Sequence, residues 1–362
     1  MIKEQTVKPQ WPLIWSLVAL NTAIIISWIA YHNYQPVLLS RFGFLELEPL
    51  LGYSKLLVMG TVPPLAGYFA DRLRKKGSRK LPMLTAGVGI AALIFMTVAA
   101  TISPQALLPL QGFLPVMIVL WLISMNLFYA PALATLEEFV PAAHFTAVMG
   151  VYILTNDMAF ALEPAIILLV DFLGAPLTFI AGGVLIGVSG FMFQKFYSKM
   201  DQAGAEAIAV SDNKSSFHMV LLSGAGLGFI LAFLINVFPV ILKTKLQGLE
   251  INFPLELSIS VVLALTALFA FFIAKKIGGY DRPRLFLISF FGSLLSLFVF
   301  YLLPNLFSIF GVLLLIPSLA ILSVTGFPLA ISNASGNDKM FAAGLFVAAM
   351  EIPDNALEII MG

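Results

Sequence analysis

The sequence predicts an all-α polytopic membrane protein built from two pseudo-symmetric six-helix halves. Apolar residues make up 60% of the chain and charged residues only 11%, against roughly 25% charged residues in an ordinary soluble domain. A soluble fold has no place for so much apolar surface, so most of it must face lipid. The apolar runs are about 20 residues long or longer and lack the two-residue alternation of membrane β-strands, which indicates spanning helices.

An internal repeat is the second observation behind this fold class. The pattern Asn-x-x-Pro at 33–36 recurs at 236–239, and a glycine followed seven residues later by a carboxylate occurs at 150–157 and again at 344–351. Two parallel copies of one helical unit are typical of several families of secondary transporter. The repeat therefore predicts two similar halves, each with an acidic residue at the same step.

Hydrophobic runs bounded by charged and turn residues predict eleven spans. They cover 12–39, 49–70, 81–103, 112–133, 145–170, 176–198, 217–242, 254–277, 284–303, 306–331 and 339–361. The polar segment 199–216 is predicted to link an N-terminal half, 1–198, to a C-terminal half, 217–362. Because the repeat pairs the first span with the seventh and the fifth with the eleventh, a twelfth span is expected and is missing; the end of the chain directly after an apolar run favours truncation.

Positive charge predicts the orientation. Lysines and arginines concentrate in segments on the side of the N-terminus, above all in 72–80, whereas the segments on the other side hold only Arg41, Lys243 and Lys245. Because such residues stay on the cytoplasmic side during insertion, the N-terminus is predicted to be cytoplasmic. A compact chain with short loops and an uncleaved first span fits a bacterial inner membrane protein.

Several function classes are excluded by what the sequence lacks. It has no cysteine, so disulfides, thiolate metal sites and thiol nucleophiles are excluded. It has no Walker-type phosphate loop, no nucleophile elbow and no His/Glu zinc pattern. We therefore expect no enzyme, no cofactor, no metal site and no nucleic-acid partner; the expected partners of a monomer are a small-molecule substrate, protons or sodium, and the lipid bilayer.

The loop after the second span resembles the signature loop of the major facilitator superfamily. It reads Gly67, three residues, Asp71-Arg72 and a basic run to Lys80, and a degenerate copy lies at 274–284. Together with two six-span halves and a central linker, the chain resembles this superfamily over essentially its whole length.

The sequence departs from the family pattern at a few positions. The glycine and arginine that usually follow Asp-Arg directly are displaced to Gly77 and Arg79, and the fourth span carries no arginine. The fifth span lacks the Gly-Pro-rich pattern of the drug-antiporter branch. These departures leave the subfamily open, and the segment Tyr31–Pro36 resembles sugar–cation symporters.

The resemblance implies a twelve-helix fold that works by alternating access. Spans 2 and 11, and spans 5 and 8, would then line the seam between the halves. Gly67, Asp71 and Arg72 would form a gate, with Asp71 against the inner end of span 11 locking the outward-facing state.

Carboxylates inside predicted spans are the main candidates for chemistry. An ionised carboxylate at mid-bilayer costs about 2.5–3.5 kcal/mol, so each must face water, pair with another group or carry a proton. Asp157 and Glu351 lie at the same predicted depth, one in each half, and are the best candidates for proton coupling, with Asn156 as a hydrogen-bonding neighbour. The alternative is that each is a protonated structural residue at a helix contact.

Further acidic residues accompany these two. Glu351, Asp354 and Glu358 fall on one helix face at i, i+3 and i+7, and Pro353 predicts a kink beside Glu351, so this helix is expected to act as a gate; Glu358 is interpreted as solvated. Glu163, beside a proline, is expected either to meet a neighbouring span or to share the site.

Polar residues nearer the other membrane face complete the candidate site. His32, Asn33 and Gln35 lie in the first span and Asn236 repeats Asn33. The paired asparagines are predicted to bind either a polar solute or backbone groups freed by the neighbouring prolines, and His32 is predicted to be either a proton carrier or a structural residue. Lys55 is predicted either to reach the membrane surface or to pair with Asp354 or Glu358 as an outer gate.

The function predicted from these features is proton-coupled symport of a small polar, sugar-like organic solute. One alternative is export of amphipathic compounds by proton antiport. The other is a non-transporting membrane scaffold whose carboxylates are all satisfied by helix contacts.

Overall fold

The structure, a computed structural model, describes residues 8–76, 82–103, 111–202, 214–246 and 255–361. Its regular secondary structure is helical throughout these ranges. The main helices are α1 (Trp11–Arg41), α2 (Glu48–Lys75), α3 (Pro82–Ile102), α4 (Leu114–Ala134), α5 (Phe145–Ala161), α6 (Glu163–Leu173), α7 (Ala175–Gln202), α8 (Phe217–Ala232), α9 (Phe238–Leu246), α10 (Leu255–Ile277), α11 (Arg282–Leu302), α12 (Ile309–Ser332) and α13 (Lys339–Met361).

The all-α membrane architecture is confirmed, but the predicted count of eleven spans is not. By length and composition, nine helices in the described ranges can cross a membrane, and the bent pair α5 and α6 makes a tenth candidate. The predicted span 49–70 does form a helix of 28 residues, α2. It is less apolar than the others because it contains Lys55 and three prolines and ends in a cluster of charged residues.

The fifth predicted span is broken into two helices. α5 and α6 are bent by 56° at a break after Ala161. Pro164, in the first turn of α6, has no N–H to donate and its ring would collide with the carbonyl of the preceding turn. By contrast, α13 runs without a break through Pro353.

Span seven changes helical pitch in its middle. A π-helical turn, Phe233–Val237, joins α8 to α9. Such turns widen a helix locally and often lie at functional sites. This one contains Asn236, the second copy of the repeated asparagine.

The two halves pack against each other mainly along two helix pairs, α2 with α13 and α5 with α10. Glycines permit the close approach: a Cβ on Gly344 would overlap the backbone of Pro63, a Cβ on Gly67 would overlap the carbonyl of Met340, and a Cβ on Gly150 would overlap the side chain of Ala274. Gly150 and Gly344 are the two copies of the repeated glycine. The repeat therefore places the same small residue at both contacts between the halves.

The predicted linker begins later than expected. α7 extends to Gln202, so the helix continues past the boundary predicted at 198. Ser216 donates its backbone N–H to the carbonyl of Asn333 (2.8 Å), which fastens the far end of the linker to the C-terminal half. Residues 203–213, and Gly77 and Arg79 of the signature loop, lie outside the described residues.

Candidate functional site

Polar contacts close the bundle at one end, which we call the basic end. It is the end at which α2 and α7 finish and α13 begins, and it includes Arg74, Lys75 and Lys339. The other end is called the opposite end. The predicted inner side of the membrane corresponds to the basic end.

Asp71 joins the halves at the basic end. Its two carboxylate oxygens accept the backbone N–H groups of Met340 (3.2 Å) and Phe341 (2.8 Å), in the first turn of α13. The side chain is buried, with 4% of its surface exposed. A carboxylate at a helix N-terminus satisfies N–H groups that have no partner within the helix and opposes the positive end of the helix dipole.

Ion pairs surround this contact. Lys339 donates to Glu137 (2.5 Å) across the two halves, and Arg74 donates to Glu138 (2.5 Å) within the N-terminal half. Glu138 also accepts from the hydroxyl of Tyr197 (2.6 Å). These partners are half-buried to exposed, so each pair contributes little stability alone; together they hold the basic end closed.

Asp338 links the linker to both halves. It accepts hydrogen bonds from Ser215 and Ser335 (2.8 Å each) and faces Lys75 (3.4 Å). Burial alone would raise the pKa of the Asp338 carboxyl. The hydroxyls of Ser215 and Ser335 and the ammonium of Lys75 outweigh this effect and hold that pKa below its usual range. The stabilisation from the ionised carboxylate is thus present above the ordinary aspartate pKa and is lost only as pH falls through the lowered value.

A polar group inside the bundle lies on α13 and faces α2. Lys55 of α2 donates to Glu358 (2.6 Å). The Lys55 side chain is 9% exposed and that of Glu358 is 51% exposed. Asp354 and Glu351, one and two turns further into the bundle, lie within electrostatic range of Lys55. We call Lys55, Glu351, Asp354 and Glu358 the α13 cluster.

Asn236 holds one member of the α13 cluster. Its side-chain amide donates to Asp354 (2.7 Å) and to the carbonyl of Ala232 (3.0 Å). The π-helical turn aims this asparagine at α13. The repeated asparagine therefore binds a carboxylate on a neighbouring helix as well as a carbonyl of its own helix.

Two tyrosines approach the α13 cluster from the N-terminal half. The hydroxyls of Tyr129 and Tyr152 are 3.3 Å apart, and Tyr129 lies within electrostatic range of Glu351. Neither tyrosine was among the residues predicted from the sequence. Sequence spacing does not show whether the hydroxyl of a tyrosine in a membrane helix faces a polar site or a packed core.

Asp157 belongs to a second polar group, between α1 and α5. Asn21 donates to Asn156 (3.0 Å), and Asn156 donates to Asp157 (3.0 Å). Asn21 is 3% exposed and was missed from the sequence, although an isolated amide in an apolar run was a usable signal. Asp157 and Glu351 thus have different hydrogen-bonding and electrostatic neighbours.

The remaining predicted residues of α1 face the N-terminal half. Asn33 donates to Asp171 of α6 (3.0 Å), and Tyr34 donates to the carbonyl of Val170 (2.9 Å). Gln35 lines a cavity of about 20 Å³, together with Tyr31 and Trp121 among others. Glu163 is the first residue of α6, at the bend. Asn33 and Asn236 therefore each join equivalent helix pairs through an aspartate.

His32 lies between an aromatic cluster and the α13 cluster. Its ring stacks on Trp28 (centroids 5.7 Å apart), and it is exposed while lying within electrostatic range of Lys55 and Glu358. Tyr31 stacks on Trp121 (4.7 Å). The stacked faces of these four rings are thus covered by one another.

No protein-family model matches this chain, and no curated protein matches it in sequence. Solved structures do. The human organic anion transporter MFSD10 (TETRAN) aligns with a TM-score of 0.69 at 12% identity, covering 97% of this chain and 93% of that one. A bacterial homologue of the iron transporter ferroportin in the outward-facing state aligns with a TM-score of 0.63 at 13% identity, covering 96% and 90%. This chain has the major facilitator fold.

The same bacterial homologue with soaked iron aligns with a TM-score of 0.61 at 14% identity. All three structures are of transporters by name, and at this level of identity they show the fold of this chain, whose long apolar helices make it an integral membrane protein. Within the described residues, no group of three or more His, Asp or Glu side chains is arranged to hold a metal ion.

Within the major facilitator fold, the predicted residues fall into three places. Gly67 and Asp71 lie at the α2–α13 contact of the basic end, and Arg72 beside them is exposed. Lys55 lies near the opposite end of the same contact, and its partner is Glu358. The candidate coupling residues lie between these two ends.

Proposed function

We propose that this protein is a proton-coupled secondary transporter that moves a small polar organic solute by alternating access. Symport of a sugar-like solute is the first candidate, on the resemblance of the segment Tyr31–Pro36 to sugar–cation symporters. The observation that carries the proposal is the pair of membrane-embedded acidic groups, Asp157 with its two asparagines and the α13 cluster, one centred in each half.

Proton coupling follows from the cost of burying charge. A carboxylate within the bilayer is expensive to ionise unless water or a partner reaches it. Asp157 and Glu351 are half-buried and Asp157 has an amide as its hydrogen-bonding partner. A group in that position takes a proton when it is shut off from water and releases it when the path opens, which is the step that coupling requires.

Gating is assigned to the two ends of the α2–α13 contact. Gly67, Asp71 and Arg72 form the gate at the basic end, proposed to be cytoplasmic, and Lys55 with the Pro353 region of α13 forms the gate at the opposite end. Opening the basic end would break the Asp71 hydrogen bonds and the Lys339–Glu137 pair together. We further propose that the protein works as a monomer, with an N-terminal half 1–198 and a C-terminal half from 217, in a bacterial inner membrane with its N-terminus in the cytoplasm.

Proton antiport of an amphipathic compound is the second candidate. It is supported by the excess of acidic over basic groups around α13, where protons and a positively charged cargo would compete for the same carboxylates. The related structures include an organic anion transporter by name. The same acidic excess disfavours an organic anion as cargo for this chain.

Solute-dependent proton movement in vesicles tests the proposal. The full chain is reconstituted with a pH-sensitive dye inside, and a panel of neutral sugars, organic acids and organic cations is added. A neutral or acidic solute that carries protons inward, with the signal lost in Asp157→Asn, is the expected symport result; a signal of opposite sign with an amphipathic compound indicates antiport.

The control for that experiment is Glu46→Gln, which removes an exposed carboxylate outside the described contacts. It should transport like the unmodified protein. If no solute in the panel drives proton movement and the inserted protein does not respond to a sodium gradient, transport is contradicted and the non-transporting scaffold is supported.

A further inference from the structure

We propose that the α13 cluster binds a positively charged solute and that the ammonium group of Lys55 occupies this site when the solute is absent. This inference rests on the proposed transport function and narrows the substrate class from a polar organic solute to an organic cation. It also gives Lys55 a role beyond a gate: it is a built-in competitor of the cargo.

Charge is unequal in the α13 cluster. Three carboxylates, those of Glu351, Asp354 and Glu358, lie on one face of α13, and the cation that faces them from α2 is Lys55. His32 of α1 and Tyr129 of α4 approach the same region. One ammonium cannot neutralise three carboxylates, so the site has room for protons or for a further positive charge.

A bound ammonium group shows what the site accepts. The Nζ atom of Lys55 lies 2.6 Å from Oε2 of Glu358 and its side chain is almost fully buried. A lysine buried at this depth is tolerated only when paired, because the cost of removing its charge from water must be recovered. The cluster therefore already stabilises an alkylammonium group, the one at the end of the Lys55 side chain.

A soluble cation can reach the same carboxylates. Half of the Glu358 side-chain surface is exposed, and His32 beside it is exposed as well. His32 lies within electrostatic range of Glu358 and stacks on Trp28. This exposed part of the α13 cluster lies towards the opposite end, away from the closed basic end.

Competition between Lys55 and the cargo would couple binding to conformation. A cation that takes the carboxylates displaces the Lys55 ammonium and so breaks the ion pair between α2 and α13. Those helices form one of the two main contacts between the halves. When the cargo leaves, Lys55 returns and restores the charge balance, so that the empty carrier can reorient without leaving an uncompensated carboxylate in the bilayer.

Equilibrium binding to the full chain in lipid nanodiscs tests this inference. The probes are tetraphenylphosphonium and choline, which carry permanent positive charges, with glucose and benzoate as neutral and anionic comparisons. The unmodified protein is expected to bind at least one of the cations more tightly than glucose or benzoate. This comparison needs no variant, so a folding defect cannot obscure it.

Variants then test the role of Lys55. Lys55→Gln removes the competitor and is expected to tighten cation binding by about tenfold, equivalent to about 1.4 kcal/mol, whereas Lys55→Arg should stay near the unmodified value. Glu358→Gln should weaken binding. The matched controls are Lys243→Gln and Glu46→Gln, both at exposed positions, which should change nothing.

The inference is overturned if neither cation binds better than glucose, or if folded Lys55→Gln binds the cations no more tightly than the unmodified protein. Its failure can be told apart from failure of the proposed function. A cation that binds as expected but drives no proton movement counts against transport alone. Proton-coupled movement of a neutral sugar that no cation inhibits counts against the cationic cargo alone.

Discussion

Replacing Glu351 with glutamine is expected to reduce solute-driven proton movement at least tenfold while leaving the protein folded. Glutamine has nearly the same shape as glutamic acid but cannot take up and release a proton. Glu351 is half-buried, twelve residues into α13, or about 18 Å along the helix axis. A loss of about tenfold in rate corresponds to about 1.4 kcal/mol in the barrier, which is modest for a group that carries the coupled proton.

The measurement is the initial rate of dye response in vesicles, with the amount of inserted protein held equal. Solute exchange without a pH gradient should survive in the Glu351→Gln variant, because binding does not require the proton to move. A variant that couples solute to protons at the unmodified rate would remove Glu351 from the mechanism and leave Asp157 as the remaining candidate.

Replacing Gly344 with alanine is expected to open the basic end. A Cβ at this position would overlap the backbone of Pro63 and approach that of Pro64, and backbone atoms cannot move aside as a flexible side chain can. Overpacking of this kind costs about 1–3 kcal/mol. The cost falls on the state in which α2 and α13 are in contact, so the equilibrium should shift towards the state in which they separate.

A cysteine placed at Thr146 reports this shift. Thr146 lies on α5 at the basic end, is 3% exposed, and sits near Gly278 at the end of α10. The chain has no native cysteine, so Thr146→Cys is the only thiol. Gly344→Ala should raise its labelling rate by about tenfold or more, since 1.4 kcal/mol is a factor of ten.

The matched control is Gly89→Ala in α3, where an added Cβ would meet no atom within 4 Å. Alanine there should leave the labelling rate unchanged and stabilise the helix by up to about 1 kcal/mol. If Gly344→Ala labels no faster than Gly89→Ala, the close contact of α2 with α13 does not control access to the basic end.

The fold was predictable because its signals are long and redundant. Spanning helices need runs of apolar residues that no soluble fold accommodates, and the repeat indicated two similar halves. That the repeated glycines, Gly150 and Gly344, lie at contacts between the halves became evident only from the structure. The break after Ala161 was not predicted, although Pro164 is evident in the sequence. Pro353 and Pro164 both predict a break or kink from the sequence alone. The structure differs between them, since α13 continues through Pro353 and the fifth span breaks before Pro164. We attribute this difference to the neighbouring helices.

The acidic residues of the candidate site were predictable from the sequence, but the residues that contact them were not. Membrane-embedded acids stand out because each is costly, so Asp157, Glu351 and Asp354 were identifiable without a structure. Their partners were not. Asn21 binds Asn156, the partner of Asp157, and Tyr129 lies within electrostatic range of Glu351. Both contacts depend on how the helices rotate about their axes, and sequence spacing within one helix carries no information about that rotation.

Access to the basic end as a function of pH is the most direct test of proton-coupled alternating access, and it needs no knowledge of the cargo. The measurement is the labelling rate of Thr146→Cys in vesicles at about pH 8 and about pH 5.5, normalised to unfolded protein at the same pH. The carboxylate of Asp338 should stay ionised across this range, because the pKa of Asp338 lies below its usual value.

We predict that the normalised rate differs several-fold between the two pH values, and that the difference disappears when Asp157→Asn and Glu351→Gln are combined. A rate independent of pH in the otherwise unmodified protein would contradict proton coupling. A dependence that persists in the combined variant would place the titrating group elsewhere, at Asp71 for example, and would contradict the assignment of Asp157 and Glu351 as the coupling residues.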